Sequence, residues 1–274
     1  NLGTDGLTVI DYGGPQAPEE DAASDTEEEA PAAGATPLDV ATGGLTEDGE
    51  DEIITLDFDG DRGTLIRATA DVEIALADFL YVRGSLGFEK STQDLVLADG
   101  TLARVDTLMF GGENLYAFAG VQGPYWQDSN DDGAITAADT PETDSLGLAI
   151  GNARFGLVLA AASDAQEAIA GMQWATAKVT TDSVELVGVP RVTMAARNIA
   201  VDVNLVSGVA SGRDPARKVI DYTAEDGSLQ VPVGTDRWID MDAPGSKGQL
   251  VRASGDVELV LGNFFEVRGS LGFE

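Results

Sequence analysis

Residues 64–89 read TLIRATADVEIALADFLYVRGSLGFE. Ile66, Ala68, Ala70, Val72, Ile74 and Leu76 alternate with the polar Arg67, Thr69, Asp71 and Glu73. The same phase continues through Leu80, Val82, Leu86 and Phe88. A side-chain period of two is that of a β-strand, and apolar residues gathered on one side predict one buried face. Asp78 marks the expected break between two strands, because Asx side chains suit turns. Residues 249–274, QLVRASGDVELVLGNFFEVRGSLGFE, repeat the pattern with Asn263 at the break. The stretch therefore predicts an all-β chain.

The second stretch is a copy of the first. Residues 51–89 and 236–274 align without a gap, and 21 of the 39 pairs are identical, including the whole octapeptide Val82–Glu89, which recurs as Val267–Glu274. Val9–Tyr12 (VIDY) also returns, as Val219–Tyr222. The offsets are 185 and 210, so the first copy carries 25 additional residues. Identity this high over so long a period indicates tandem duplication. We expect one full repeat module over 1–216 and the first part of the next over 217–274, cut from a longer array. Residues 15–50, rich in Pro, Ala and acid, are the expected insertion. Their one-sign charge and low hydrophobicity predict a surface loop. Only Ser207–Arg217 joins the copies, which predicts contact through sheet edges or ends rather than a flexible tether.

With 16 Lys and Arg against 48 Asp and Glu, the net charge is −32. Nucleic-acid binding needs clustered cations and is not expected. No apolar run is long enough for a membrane helix, so membrane insertion is not expected either. The chain has no Cys and no His, which removes disulfides, thiolate chemistry and imidazole acid–base catalysis. Further strands are expected at 94–97, 101–109, 114–121, 146–151, 153–161, 174–181, 183–188, 191–196 and 198–206, punctuated by Asn, Asp and Gly. Ser163–Gln173 alone reads as helical, with Ser163 and Gln166 spaced as a capping box. Small units of strand, acidic turn and strand predict an elongated stacked or solenoid-like antiparallel meander built from tandem repeats; a β-sandwich is the alternative.

The sharpest local motif is Asp128–Asp139, DSNDDGAITAAD. Asp128, Asn130 and Asp132 occupy positions 1, 3 and 5 of an EF-hand-type loop, with Gly133 at the tight turn. Ala134 would offer its carbonyl, Thr136 its side chain or a water, and Asp139 the last carboxylate. A hard cation wants several such oxygens on one short loop, so Ca²⁺ is the expected cofactor. The loop resembles the calcium loops of dockerins, without flanking helices, because Gly123-Pro124 precedes it and Pro141 follows it. A second group, Asp57, Asp59 and Asp61 around Gly60, reads better as a strand-end turn, since the copy keeps only Asp242 of the three.

Other candidates are weaker. Ser85 lies in a strand, not on a nucleophile elbow. Arg83 and Arg268 are expected to pair with strand neighbours such as Glu73. Trp126, Trp174 and Trp238 could form a sugar platform, though buried core is the commoner fate. Composition, long repeat and calcium-type loop together resemble giant, acidic, Cys-free bacterial surface proteins of the large adhesin or RTX-adhesin type. That resemblance implies an extracellular or cell-surface location, neighbouring copies of the repeat as partners, and a calcium-stiffened structural role without enzymatic activity. A cell-surface polymer or glycan is a further implied partner. A module binding carbohydrate or an apolar ligand in a groove lined by Phe79, Leu86 and Phe88 is the alternative, and a β-solenoid polysaccharide-active enzyme the third.

Overall fold

The structure is a computed structural model, and it describes residues 37–45, 49–56, 64–136, 139–163, 169–209, 212–225 and 227–274. The chain is all-β: 67% of the described residues are in strands. It divides into two compact units, Asn1–Ile66 and Arg67–Glu274.

The first unit holds an antiparallel hairpin, β1 (Leu38–Leu45) and β2 (Asp51–Leu56). The loop expected over 15–50 is thus corrected at its end. Leu38 and Val40 alternate with polar residues and pair with Leu56 and Ile54, so this piece orders as a strand. Residues 15–36, Val9–Tyr12 and the Asp57, Asp59 and Asp61 group lie outside the described residues.

One eight-stranded antiparallel sheet dominates the chain. It contains β3 (Leu65–Leu76), β4 (Leu80–Val96), β5 (Leu102–Val121), β6 (Leu146–Ala162), β7 (Gln173–Val187), β8 (Val192–Ser207), β11 (Leu250–Leu261) and β12 (Phe265–Phe273). From β3 to β8 each strand pairs with the next in sequence; β11 then joins β8 and β12 closes the far edge. Between β8 and β11 the chain makes a separate hairpin, β9 (Leu229–Gly234) and β10 (Arg237–Met241). It packs on β4, β5 and β6. The turn expected at Asp78 is present, with Ala77 and Asp78 both at positive φ (49° and 52°).

The other strands are fewer and longer than expected. The Asn and Gly residues that were to end strands instead make bulges inside them. Asn114, Asn152 and Asn198 sit at φ 50°, 51° and 52°, a conformation Asn tolerates. Register shifts flank Gly84 and Asn114, and another lies between Ser254 and Asp256. A bulge bends a strand without ending it, so the ladder continues on both sides. The helix expected over 163–173 falls partly outside the described residues; Ile169–Met172 is a turn and Gln173 opens β7.

The buried face also differs from expectation. On β4 the side bearing Ser85, Gly87 and Glu89 is buried, while Leu86 and Phe88 on the other side are only half-buried. Small residues explain the inversion. The carbonyl of Pro232 in β9 lies where a Cβ on Gly87 or Gly111 would sit, so the hairpin backbone can approach only there. The core forms under this hairpin, from Leu95, Val105, Met109, Val158, Val231 and Ile239. The opposite face carries exposed Phe110, Leu148, Leu159 and Met194.

Residues 218–222 complete the core. Val219, Ile220 and Tyr222 of the repeated VIDY motif are all buried. A chain of buried hydrogen bonds satisfies their neighbours: Tyr222 Oη donates to Thr176 Oγ1 (3.0 Å), Thr176 to Asn204 Oδ1 (3.1 Å), and Asn204 Nδ2 to the Ile220 carbonyl (2.8 Å). Burial holds the Tyr222 phenol far above its usual range. Lys218 pairs with Asp99. Burial pushes the Asp99 carboxyl up, but bonds from Lys218 and Thr101 outweigh it and hold the pKa below its ordinary value.

Candidate functional site

The long connection between β5 and β6 folds back over the sheet and brings together the groups with chemical potential. Trp126 donates its indole N–H to the Ala117 carbonyl (3.2 Å). Its ring meets Tyr125 and Tyr116 edge-on, with centroids 4.8 and 5.2 Å apart. Tyr125 stacks against Phe118, which is buried, and Phe118 against Tyr81. Burial raises the pKa of Tyr116 and Tyr125, with nearby carboxylates adding to the shift. A cavity of about 370 Å³ opens beside these rings, lined by Glu73, Tyr81, Arg83, Tyr116, Trp126 and Asp128 among others. This size lies within the range of small-ligand pockets.

The Asp128–Asp139 loop reaches this cavity through Asp128 and Ile135. Asp128 accepts from the Asp132 N–H (3.1 Å) and the Gly133 N–H (2.8 Å). Asn130 Oδ1 also accepts from the Asp132 N–H (3.0 Å), and Asp132 accepts from the Ala134 N–H (2.9 Å). Asp139 accepts from the Ser129 and Thr136 N–H groups (2.8 and 2.7 Å) and from the Thr136 hydroxyl (3.3 Å). The Thr136 N–H bond is the main reason the Asp139 carboxyl titrates below its ordinary range. Gly133 takes φ 89°, as a tight loop turn needs.

The donor set suits a hard cation, and the loop backbone is ordered by its own carboxylates. Those carboxylates point at N–H groups rather than converging: among the described residues no three acidic side chains gather as metal ligands. A cation already touches the loop, however. Arg83 donates to the Gly133 carbonyl (2.6 Å) and lies 3.8 Å from Asp128. Its counterpart Arg268 pairs instead with Glu258 (2.8 Å), which corresponds to Glu73. The expected cross-strand pair thus forms in the second copy, and in the first the loop competes for the arginine. Nothing in the strand alternation indicated that competition, nor the gathering of Tyr81, Tyr116, Phe118 and Tyr125, which come from three separate segments.

The other sequence candidates are scattered. Trp174 is buried and donates to the Lys218 carbonyl (2.7 Å), and Trp238 sits on β10 with the Arg67 guanidinium 5.9 Å from its ring. The three tryptophans form no common platform. Ser85 is buried in β4, donating to Asp71 (2.5 Å) and accepting from Arg237 (2.7 Å). Phe79 is exposed, and the cavity walls are Tyr81, Tyr116 and Trp126 rather than Phe79, Leu86 and Phe88.

No protein-family model matches this chain, and no curated protein or solved structure resembles it significantly. Among the described residues no helix is long and apolar enough to cross a membrane.

Proposed function

We propose that this chain is a structural extender, a repeat of an extracellular surface protein whose modules join as one continuous sheet. The observation that carries the reading is the β8–β11 pairing. β11 is the second copy's counterpart of β3, and it pairs with the last strand of the first copy from Leu250↔Asn204 to Leu261↔Val192. The sheet therefore runs through the junction between copies. Six strands, β3–β8, precede the repeat of β3 as β11, so each module adds about 29 Å of sheet at ~4.8 Å per strand. Partners on this reading are neighbouring copies. The Asp128–Asp139 loop would take Ca²⁺ by turning its carboxylates from the backbone to the ion, stiffening the β5–β6 connection. Small-angle scattering on a chain lengthened by one repeat tests the extender reading. The expected result is a maximum dimension longer by about 29 Å with a narrow distribution; a broad spread of inter-module angles overturns it.

A second reading rests on the aromatic cavity. Stacked rings beside Arg83 and Glu73 suit a flat, partly polar ligand such as a sugar ring of a surface glycan. Titration of glycan fragments, monitored by Trp126 fluorescence against a Trp126→Phe control, decides it. No change with any fragment removes this reading.

A further inference from the structure

The octapeptide VRGSLGFE occurs twice in identical form and in two environments. In β4 it lies beside β5 and beneath β9; in β12 it forms the last strand of the sheet. Ser85, Gly87 and Glu89 are buried, whereas Ser270, Gly272 and Glu274 are exposed. The same eight residues bury this side where β9 covers it and expose it where no described strand does.

The β8–β11 seam shows what the contact between copies is made of. Asn198 donates to Asp256 (2.8 Å), Arg197 pairs with Glu258 (3.1 Å), and Arg252 donates twice to Asp202 (2.9 and 3.1 Å). Each seam acid of β11 has its duplicate on β3: Asp71 for Asp256 and Glu73 for Glu258. Among the described residues β3 is an edge strand, and both acids are exposed on it. Arg83 is drawn to the loop, so Glu73 has no ion-pair partner among the described residues. Arg67, the counterpart of Arg252, instead bonds Glu89 (2.8 Å), which leaves two of the three seam contacts to this edge, one ion pair and one amide–carboxylate hydrogen bond.

We propose that the β3 edge is a docking surface for strand β8 of another copy of the repeat, in the register already used by β11. Arg197 of that copy meets Glu73, and its Asn198 meets Asp71. A bare edge of this length is otherwise an aggregation hazard, and a partner of fixed register removes it. The inference rests on the extender reading and adds the strand, the register and the charges of the joint.

The chain has no cysteine, so one engineered pair reports one contact. Ala196 is directly opposite Val257 across β8–β11, and Val72 corresponds to Val257. The test uses a lengthened chain, residues 1–249 followed directly by 65–274, in which a first β8 meets a β3. One variant carries Ala196→Cys in the first copy with Val72→Cys in the second. The control carries Ala196→Cys and Val257→Cys at the final seam. We expect both pairs to close to a disulfide under mild oxidation, read by mass before and after alkylation. Closure of the control without the first pair overturns the docking surface. A first pair that closes in a chain whose scattering shows widely spread modules keeps the docking surface and overturns the extender reading instead.

Discussion

Gly87 and Gly272 are the same residue of the same octapeptide, yet they should respond oppositely to a methyl group. A Cβ on Gly87 would run into the Pro232 carbonyl, and rigid hairpin backbone cannot yield cheaply. Gly87→Ala should cost about 1–3 kcal/mol as overpacking. A Cβ on Gly272 would meet nothing closer than the Ala253 carbonyl at 3.6 Å. Gly272→Ala should be neutral or slightly stabilising, since strand Gly carries an entropic penalty of about 0.5–1 kcal/mol. Urea unfolding of both variants checks this, and equal losses would mean that the hairpin does not seat on β4. The seam carboxylates give a second prediction at this scale. Asp256 accepts from Ser270 (2.6 Å) and Asn198, which together hold its carboxyl below the ordinary value. A depressed folded pKa contributes stability above the unfolded pKa of ~3.9, and that contribution is lost as pH falls through the folded value. Asn198→Ala should move the Asp256 titration midpoint upward in a carboxyl NMR titration. An unmoved midpoint would show that the seam bond is not made in solution.

The two faces of β5 should differ in what they tolerate. Met109 is fully buried beneath the hairpin, and Met109→Ala should cost about 2–5 kcal/mol. Phe110, next in sequence, lies on the uncovered face against Phe88, with ring centroids 5.2 Å apart. Phe110→Ala should cost nearer 1 kcal/mol, the scale of one aromatic pair. Thermal melts of the two variants rank them, and a larger loss at Phe110 would mean that the apolar face is covered in solution. The sequence made the strands and the Asp78 turn legible, because a period of two is local information. It misled about which side is inside. Ile66, Ile74 and Leu76 mark the apolar side, but the β9–β10 hairpin comes from residues more than 130 positions beyond them and selects the side bearing Gly87 and Gly111. Strand ends were misread for a related reason. An Asn that can adopt positive φ serves a turn or a bulge equally well, and only the neighbouring strand decides between them. The loop motif at Asp128–Asp139 was legible as twelve consecutive residues; its contact with Arg83, 45 positions before Asp128, was not.

At the scale of the whole molecule, a net charge of −32 makes any cation stabilising, so a rise in melting temperature with calcium is not by itself evidence of a site. Screening depends on ionic strength and treats Ca²⁺ and Mg²⁺ alike. A calcium site in the Asp128–Asp139 loop would not treat them alike: several carboxylates, an amide and a carbonyl on one short loop would suit the larger, irregularly coordinated Ca²⁺, while Mg²⁺ demands a near-ideal octahedron. An extracellular-type affinity of ~10⁻⁴–10⁻³ M gives about 1.4–2.7 kcal/mol of linkage stabilisation at ~10 mM Ca²⁺. Arg83 sharpens the test, because it bonds the Gly133 carbonyl within the loop and lies 3.8 Å from Asp128, one of the expected ligands. Arg83→Gln should therefore tighten calcium binding, whereas the loss of one of 16 cations would merely strengthen a diffuse attraction to every divalent ion. The decisive comparison is the melting shift from Mg²⁺ to Ca²⁺ at matched ionic strength, in the wild type, in Arg83→Gln and in Asp128→Ala. A site predicts a shift in the wild type, a larger one in Arg83→Gln and none in Asp128→Ala. Equal melting in both ions for all three proteins would reduce the loop to an Asp-Gly turn held by Arg83.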